Sequence, residues 1–354
     1  MKNLRFACIG CGEMGALHVL NAKAIPGVEV VAYADVRPGQ AEKFLEQYGG
    51  DYATTDPARI FADPRIDGVL IQTGPKHHPA LGIAAAKAGK HIFMEKPVAL
   101  TVEDALELER AVAASGVRFL VGFCNRLAPA VVRAKRLVPK PWITVGQCAD
   151  SIVHQACHNL DLIVHCFHEA PLVSVYASGG TYYGLEADAH LPADSFIATL
   201  GFADGSQASY VQHGKGYNAL MGKYSFQLFG KDRCAYIAKR FKECHLSTGL
   251  GGVDHSHVFT GPDFSPTDAA KHEQNVRGPH GYMGHFEELA ALCASIRDGS
   301  EPPMTIAHGR HVLQVEAAIM ASLSTKAVID YPAFLSKWKT PQPAKAARAA
   351  VSAS

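Results

Sequence analysis

Glu95-Lys96-Pro97 sets two opposite charges side by side, directly after the apolar segment His91-Ile92-Phe93. In an open α/β sheet the carboxyl ends of the strands are where ligands bind, so charge at such an end points to chemistry. A lysine there can polarise a hydroxyl and relay its proton, provided partial desolvation lowers its pKa toward neutrality. A second polar set follows. His154, His158, Asp161 and His165 recur at i, i+4, i+7 and i+11, one face of a helix that also carries Leu160, Leu162, Ile163 and Val164. Histidine titrates near neutral pH, which suits a general acid or base. The plainer reading is an amphipathic helix with its polar face in water. Two histidines four apart near a carboxylate also have zinc-ligand spacing. No H-E-x-x-H pattern or cysteine set accompanies them, so no metal is assigned.

Chemistry at Lys96 needs a cofactor site upstream, and the first fifty residues contain one. Phe6-Ala7-Cys8-Ile9 is a short apolar run suited to a parallel strand buried on both faces. Gly10-Cys11-Gly12-Glu13-Met14-Gly15 follows, then a helical stretch to Ala24, then a second apolar run, Val28 to Ala34, that ends at Asp35. This is G-x-G-x-x-G between strand and helix, with an acid twenty positions beyond Gly15. Gly10 permits the tight turn, Gly12 lets the backbone approach a pyrophosphate at the helix N-terminus, and Gly15 lets helix and strand pack closely. Asp35 can accept both ribose hydroxyls of an adenosine and repels a 2′-phosphate, which favours NAD over NADP. Arg37 can hold a phosphate, which pulls the other way.

Strand and helix signals go on alternating. Gly68 to Gln72 is apolar and ends in Thr73-Gly74-Pro75-Lys76-His77-His78; Ala80 to Ala88 is helical and closes at Gly89; Thr101 is an N-cap for a helix over 102–114; Val117 to Phe123 is another strand. The pattern predicts a doubly wound parallel sheet. With 354 residues, 48% hydrophobic and a net charge of +1, the chain can fill large cores and has no electrostatic case for nucleic acid or an anionic membrane. No apolar run reaches membrane-spanning length and the N-terminus shows no signal-peptide pattern. The nine cysteines are scattered, and Cys8 and Cys11 straddle a strand end rather than a redox motif, so a cytoplasmic protein with free thiols is expected.

The ordered set Gly-x-Gly-x-x-Gly, Thr73…His78, Ala88-Gly89-Lys90-His91 and Glu95-Lys96-Pro97 resembles the glucose–fructose oxidoreductase and inositol dehydrogenase (Gfo/Idh/MocA) family. The resemblance implies an α/β Rossmann domain followed by an α+β domain with a large open, mostly antiparallel sheet. It also implies NAD(P)-dependent chemistry on a hydroxyl of a sugar, cyclitol or related molecule. It casts Lys96 as an active-site residue and Glu95 as a neighbour of the nicotinamide ribose, with Gly10, Gly12, Glu13, Met14, Gly15, Asp35, Arg37, Thr73, His78 and Arg126 on the cofactor. It casts Asn125, His158 and Asp161, with His154 where the family often has Asp, on the substrate. Two departures stand out. The third-strand turn is commonly Thr-Pro-Asn-x-x-His, here Thr73-Gly74-Pro75-Lys76-His77-His78, and the crossover at Gly122 to Pro129 keeps a single arginine, Arg126.

Domain bounds of 1–124, 125–336 and a tail at 337–354 follow. Beyond Pro139-Lys140-Pro141 the runs 143–149, 173–178, 194–202, 206–212, 224–230 and 233–239 alternate as strands, with Asp204-Gly205 a hairpin turn. Helices are expected over 282–298 and 308–326. The stretch 248–281 is rich in Gly, Pro, Asp and His and reads as a long functional or solvated loop. A sheet with one open face asks for a partner, which in the resembled family is another subunit, so a homodimer or homotetramer is expected.

The resulting expectation is an NAD-dependent dehydrogenase with His158 as general acid/base and Lys96 as polariser and relay, or the two roles exchanged, and with His154 orienting the substrate or sharing the proton. Replacing Asp by His at 154 removes a negative charge and would favour an anionic or bulkier substrate. The rivals are an NAD-dependent glycoside-cleaving enzyme working by transient oxidation and elimination, and a non-enzymatic NAD-binding regulator.

Overall fold

The computed structural model describes residues 3–150, 155–182, 193–214, 222–248, 252–254 and 281–338. Six strands build the first sheet: β1 (Leu4–Ile9), β2 (Val28–Ala34), β3 (Tyr52–Thr54), β4 (Gly68–Ile71), β5 (His91–Met94) and β6 (Phe119–Val121). They lie in the order β3-β2-β1-β4-β5-β6, all parallel, the 3-2-1-4-5-6 order of a dinucleotide-binding fold. Helices α1 (Glu13–Lys23), α2 (Gln40–Tyr48), α3 (Pro57–Ala62), α4 (His78–Lys87) and α5 (Val102–Ser115) connect them. Every residue of β4 is buried, as strands covered on both faces require. Helix α5 starts where expected, with the Thr101 hydroxyl accepting from the Asp104 N–H at 3.1 Å, and ends at Gly116 in the left-handed conformation.

The second sheet has nine strands: β7 (Ile143–Ala149), β8 (Leu172–Gly180), β9 (Ser195–Phe202), β10 (Gln207–His213), β11 (Tyr224–Phe229), β12 (Arg233–Ala238), β13 (Glu243–Thr248), β14 (Gly252–Asp254) and β15 (Ile329–Asp330). Their order is β14-β13-β12-β11-β7-β10-β9-β8-β15, and only the β7–β10 pair is parallel. Strand β9 alternates, with Phe196, Ala198, Leu200 and Phe202 buried and Ile197 and Thr199 exposed. One face therefore meets the core. The other presents Tyr176 and Ile197.

Five more helices complete the fold: α6 (Pro129–Leu137), α7 (Cys157–Asp161), α8 (His285–Asp298), α9 (Ile306–Thr325) and α10 (Tyr331–Leu335). Helices α8 and α9 come from the second half of the chain and pack back on α1 and α5 of the first. Arg310 Nε donates to Glu109 Oε2 at 2.6 Å and Trp338 Nε1 donates to Glu103 Oε1 at 2.7 Å, both across that contact.

Several elements differ from the sequence expectation. Strands β3 and β13 and helix α6 were not anticipated. The break expected from 248 contains β14, while 255–280, with His255, His257, His272 and His280, lies outside the described residues, as do His154 and the tail beyond 338. The β12–β13 hairpin turns through Lys239-Arg240-Phe241-Lys242, which carries none of the Gly, Asn, Asp or Pro that signal a turn.

Candidate active site

Gly10 and Gly15 are required by geometry. Gly10 has φ +99°, and a Cβ there would lie 2.6 Å from the Gln72 carbonyl oxygen. A Cβ on Gly15 would lie 2.3 Å from the Gly10 carbonyl oxygen. Gly12 differs: a Cβ there meets nothing within 4 Å. Its space is a cradle at the N-terminus of α1, which a side chain would fill and a pyrophosphate would need. A cleft of about 460 Å³ opens beside it, lined by Gly10, Gly12, Asp35, Thr73 and His77 among others. Asp35 sits at its far end. Its carboxylate accepts the Cys11 N–H at 2.9 Å and both Arg37 Nε and Nη2 at 2.9 Å. The Arg37 guanidinium, with the hydrogen bonds it donates, holds the Asp35 carboxyl down at about 2. In this conformation Arg37 occupies the carboxylate that ribose hydroxyls would use, and it must turn outward, where it is already largely exposed, to free it. Glu13 is exposed and Met14 half-buried on the first turn of α1.

Three expected site residues are placed elsewhere. His78 is fully buried: Nδ1 lies 2.7 Å from the Pro97 oxygen and Nε2 2.9 Å from the Thr73 oxygen, so it clamps the third-strand turn to the Pro97 turn. Burial lowers its pKa more than the two carbonyls raise it. The neighbouring His77 is the histidine that lines the cleft. Arg126 and Asp161 are taken by each other. Nε donates to Oδ2 at 2.6 Å and Nη2 to Oδ1 at 2.5 Å, with the Asp161 side chain 1% exposed. The bidentate buried pair engages both Asp161 oxygens and the Nε and Nη2 of Arg126 with each other.

The helical face of the sequence splits for a related reason. Gln155 and Ala156 are π-helical, α7 is a short α-helical stretch, and Leu162–Phe167 is π-helical again. The wider turns break the 3.6-residue register. Asp161 turns to Arg126, and His165 Nε2 meets His311 Nδ1 at 3.0 Å. Among the described residues of that face, His158 is the one on which the Lys96 charge acts. It is 6% exposed, edge-on to Phe123 with ring centroids 6.2 Å apart, and its Nδ1 has no hydrogen-bond partner. Burial first, and the Lys96 charge second, hold its pKa well below the usual histidine value. Lys96, half-buried after β5, thus comes near His158 of helix α7, and His78 ties the turn that carries it to the Thr73 turn that lines the cleft. Asn125 is buried, with its Nδ2 unpaired.

Glu95 is a buried anion with its own support. Its Oε1 lies 2.9 Å from His18 Nε2, and its Oε2 accepts the Lys96 N–H at 3.1 Å. Burial pushes this carboxyl up, but His18, Lys96 and His285 together outweigh it and bring it to about 2. His18, buried on α1, went unremarked in the sequence. So did His285 and Glu288 of α8, whose ligand-type atoms lie with that of His18 all within 4.8 Å of one another. Burial and the nearby Glu95 charge raise the Glu288 carboxyl well above its ordinary value, and burial lowers His285 to about 3.

A parallel sheet in 3-2-1-4-5-6 order, a glycine cradle and an acid at the end of β2 define a dinucleotide-binding α/β protein with a second, substrate-sized domain. Residues 4–123 match the profile described as "Oxidoreductase family, NAD-binding Rossmann fold". The match takes in the first sheet and the helices that connect its strands. It is 36% identical over 136 residues to scyllo-inositol 2-dehydrogenase (NAD(+)) of Bacillus subtilis, spanning 38% of this chain and 40% of that protein. It is 25% identical over 355 residues to myo-inositol 2-dehydrogenase of Thermotoga maritima, spanning 91% and 97%. Among solved structures, a levoglucosan dehydrogenase in complex with NADH and L-sorbose superposes with a TM-score of 0.78 at 22% identity, covering 94% of this chain and all of that one. The scyllo-inositol dehydrogenase of Lactobacillus casei with bound NAD(H) and scyllo-inositol gives 0.74 at 18%, with the same coverage. At these identities the structural likeness is one of fold.

Two stability predictions follow from the buried charges. Asp161→Ala strands the Arg126 guanidinium and should cost about 3–5 kcal/mol, read as a lowered denaturation midpoint; a midpoint within error of the parent would contradict the pairing. For Glu288, whose folded pKa is raised, the unfolded chain loses its proton first, so stability falls as pH rises past the ordinary glutamate value. Glu288→Gln should therefore gain stability over the parent at pH 8 relative to pH 4, measured by thermal melts at both. A constant difference would show that the Glu288 carboxyl titrates alike in the folded and unfolded chain.

Proposed function

We propose that the chain is an NAD-dependent dehydrogenase that moves a hydride between nicotinamide and a secondary hydroxyl of a sugar, sugar derivative or cyclitol. The observation that carries this reading is the meeting of Lys96, at the end of β5, with His158, on helix α7, in a chain whose cleft contains the Gly12 cradle and Asp35 and is tied to the Lys96 turn through His78. The inositol and levoglucosan dehydrogenases that resemble it support the substrate class. Gly10, Gly12 and the first turn of α1 would hold the pyrophosphate, Asp35 the adenosine ribose, and Thr73 and His77 the wall beyond. When bound, the nicotinamide supplies the hydride acceptor or donor.

The protein's own task is to hold a hydroxyl and move its proton. His158 is neutral at pH 7 and surrounded by protein, so an imidazole lone pair is available as the base. Lys96 beside it polarises the oxygen and favours the alkoxide side of the transfer. The positive charge of Lys96 also keeps a proton from resting on His158, which favours onward relay. Glu95 fixes the turn: held by His18, it accepts the Lys96 N–H and so sets where the lysine leaves the backbone. His154 lies four residues before His158 and is assigned to orient the substrate. The open face of the second sheet, with Tyr176 and Ile197 exposed, supports a homodimer or homotetramer. No helix among the described residues is long and apolar enough to cross a membrane.

Lys96→Met should lower kcat by about 10³-fold while leaving NADH affinity within about twofold, because it removes a proton-transfer group and no phosphate contact. NADH formation across a panel of polyols, sugars and cyclitols provides the readout, and an unchanged kcat would sink the assignment. Turnover of a glycoside without net NADH would instead mark the elimination chemistry. Asp35→Ala should weaken NADH binding by about tenfold and NADPH binding far less, since the ribose acceptor is lost and the repulsion of a 2′-phosphate goes with it. Fluorescence titration of both nucleotides measures the ratio; equal losses would place the ribose elsewhere.

A further inference from the structure

The hairpin tip between β12 and β13 is built in a conformation that its residues resist. Lys239, Arg240 and Phe241 have φ of 49°, 56° and 66°, three consecutive non-glycine residues in the left-handed region. Two contacts enforce it. Phe241 is fully buried and stacks on Tyr224 with ring centroids 5.3 Å apart. Gly222, just before β11, is pressed against the turn so closely that a Cβ would lie 2.8 Å from the Arg240 backbone nitrogen. Strain of this kind persists where surrounding structure over-determines it, and it concentrates at ligand sites.

The result is a concentration of cations beside the proposed catalytic pair. Arg240 makes no ion pair among the described residues, and its Nε is buried without a hydrogen bond. Its charge is felt by Cys124, Tyr224, Tyr282 and His285, the groups that wall the space next to Glu95. Lys223, at the start of β11, is buried and acts on His158. Tyr224 beside it donates its hydroxyl to Gln155, three residues before His158, so this strand end is tied to the helix that carries the base. Among the described residues, Asp150 pairs with Lys223, Glu95 pairs with His18, and burial pushes the Glu288 carboxyl well above its ordinary value. That leaves the Arg240 guanidinium over and above the paired charges, its planar fork open to a two-oxygen acceptor.

We propose that Arg240, with Lys223 beside it, forms a subsite for an oxyanion on the substrate, so that the hydroxyl presented to Lys96 and His158 belongs to an anionic sugar, a sugar acid or a sugar phosphate. This rests on the dehydrogenase reading for where the hydroxyl goes, and it goes beyond that reading in assigning the substrate's charge. A carboxylate or phosphate accepts two parallel hydrogen bonds from the fork, a geometry that a neutral hydroxyl cannot match.

The test is isothermal titration of the NADH-saturated full chain with D-glucuronate, D-gluconate, D-glucose 6-phosphate, D-glucose and myo-inositol. At least one anionic ligand should bind about tenfold or more tighter than D-glucose, with the ratio falling as salt rises. Arg240→Gln should bring that ratio to about one while leaving D-glucose and NADH affinity within about twofold, and Arg240→Lys should keep part of it. A preference for glucuronate and gluconate assigns a carboxylate, and a preference for glucose 6-phosphate assigns a phosphate. Neutral ligands binding as tightly as anionic ones, or a ratio untouched by Arg240→Gln in a variant that still binds NADH, overturns the subsite. The readout is affinity, so it stands apart from the Lys96→Met kinetics: a dehydrogenase without charge preference fails here and passes there.

Discussion

The bond between Glu95 and His18 fixes the rest of the site. An anion at the buried end of β5 needs partners, and His18 is the group that reaches its Oε1, from the helix whose N-terminus forms the glycine cradle. Cofactor cradle and Lys96 turn are thereby held by one hydrogen bond at 2.9 Å in a place where water cannot substitute for either partner. The remaining carboxylate oxygen accepts the Lys96 N–H, so the lysine's origin is set by the same group. Helix α8 then has to close over the Glu95 anion. It does so with the Glu288 carboxyl pushed well above its ordinary value and His285 lowered to about 3, because a second ionised carboxylate beside Glu95 would meet repulsion in a medium that does not screen it.

The second constraint is that His158 must arrive on a helix of the second half of the chain. The Arg126–Asp161 pair supplies the tie. Arg126 belongs to the crossover that leaves β6, and Asp161 closes the helix that carries His158, so the two parts of the proposed site are clamped three residues from His158. A buried ion pair of this sort adds little net stability relative to an apolar contact, but breaking it is expensive, which is how it enforces one arrangement. The π-helical turns on either side of α7 serve the same end. The turn after Asp161 shifts His165 out of the α-helical register, and there it meets His311.

Much of the first domain was legible because its signals are local. The β1 run, the three glycines and Asp35 each need a specific residue type for a steric or electrostatic reason, and a Cβ at Gly10 or Gly15 collides with backbone just as the motif predicts. What failed was direction. His78 and His77 are adjacent and chemically identical, and only the fold decides that His78 turns inward between two carbonyls while His77 lines the cleft. The face drawn through His158, Asp161 and His165 assumed 3.6 residues per turn, and the π turns invalidate that spacing. His18 was unreadable as a site residue because a histidine on a buried helix carries no sign of the glutamate it meets 77 positions later.

The hairpin at Lys239–Lys242 shows why the most individual part of a site is also the hardest to read. A four-residue turn with no Gly, Asn, Asp or Pro has no turn signature, so β13 was invisible and the strand seemed to end in a basic run. The chain adopts the left-handed turn because burying Phe241 against Tyr224 and Phe226 outweighs the local cost, and Gly222 leaves room for the backbone to do so. Replacing the turn with Asn-Gly would relieve the strain but would also remove the guanidinium from the site wall. The sequence retains residues that are poor for the turn and well suited to an oxyanion. Where local propensity and fold disagree in this way, the disagreement itself marks the residues on which function depends.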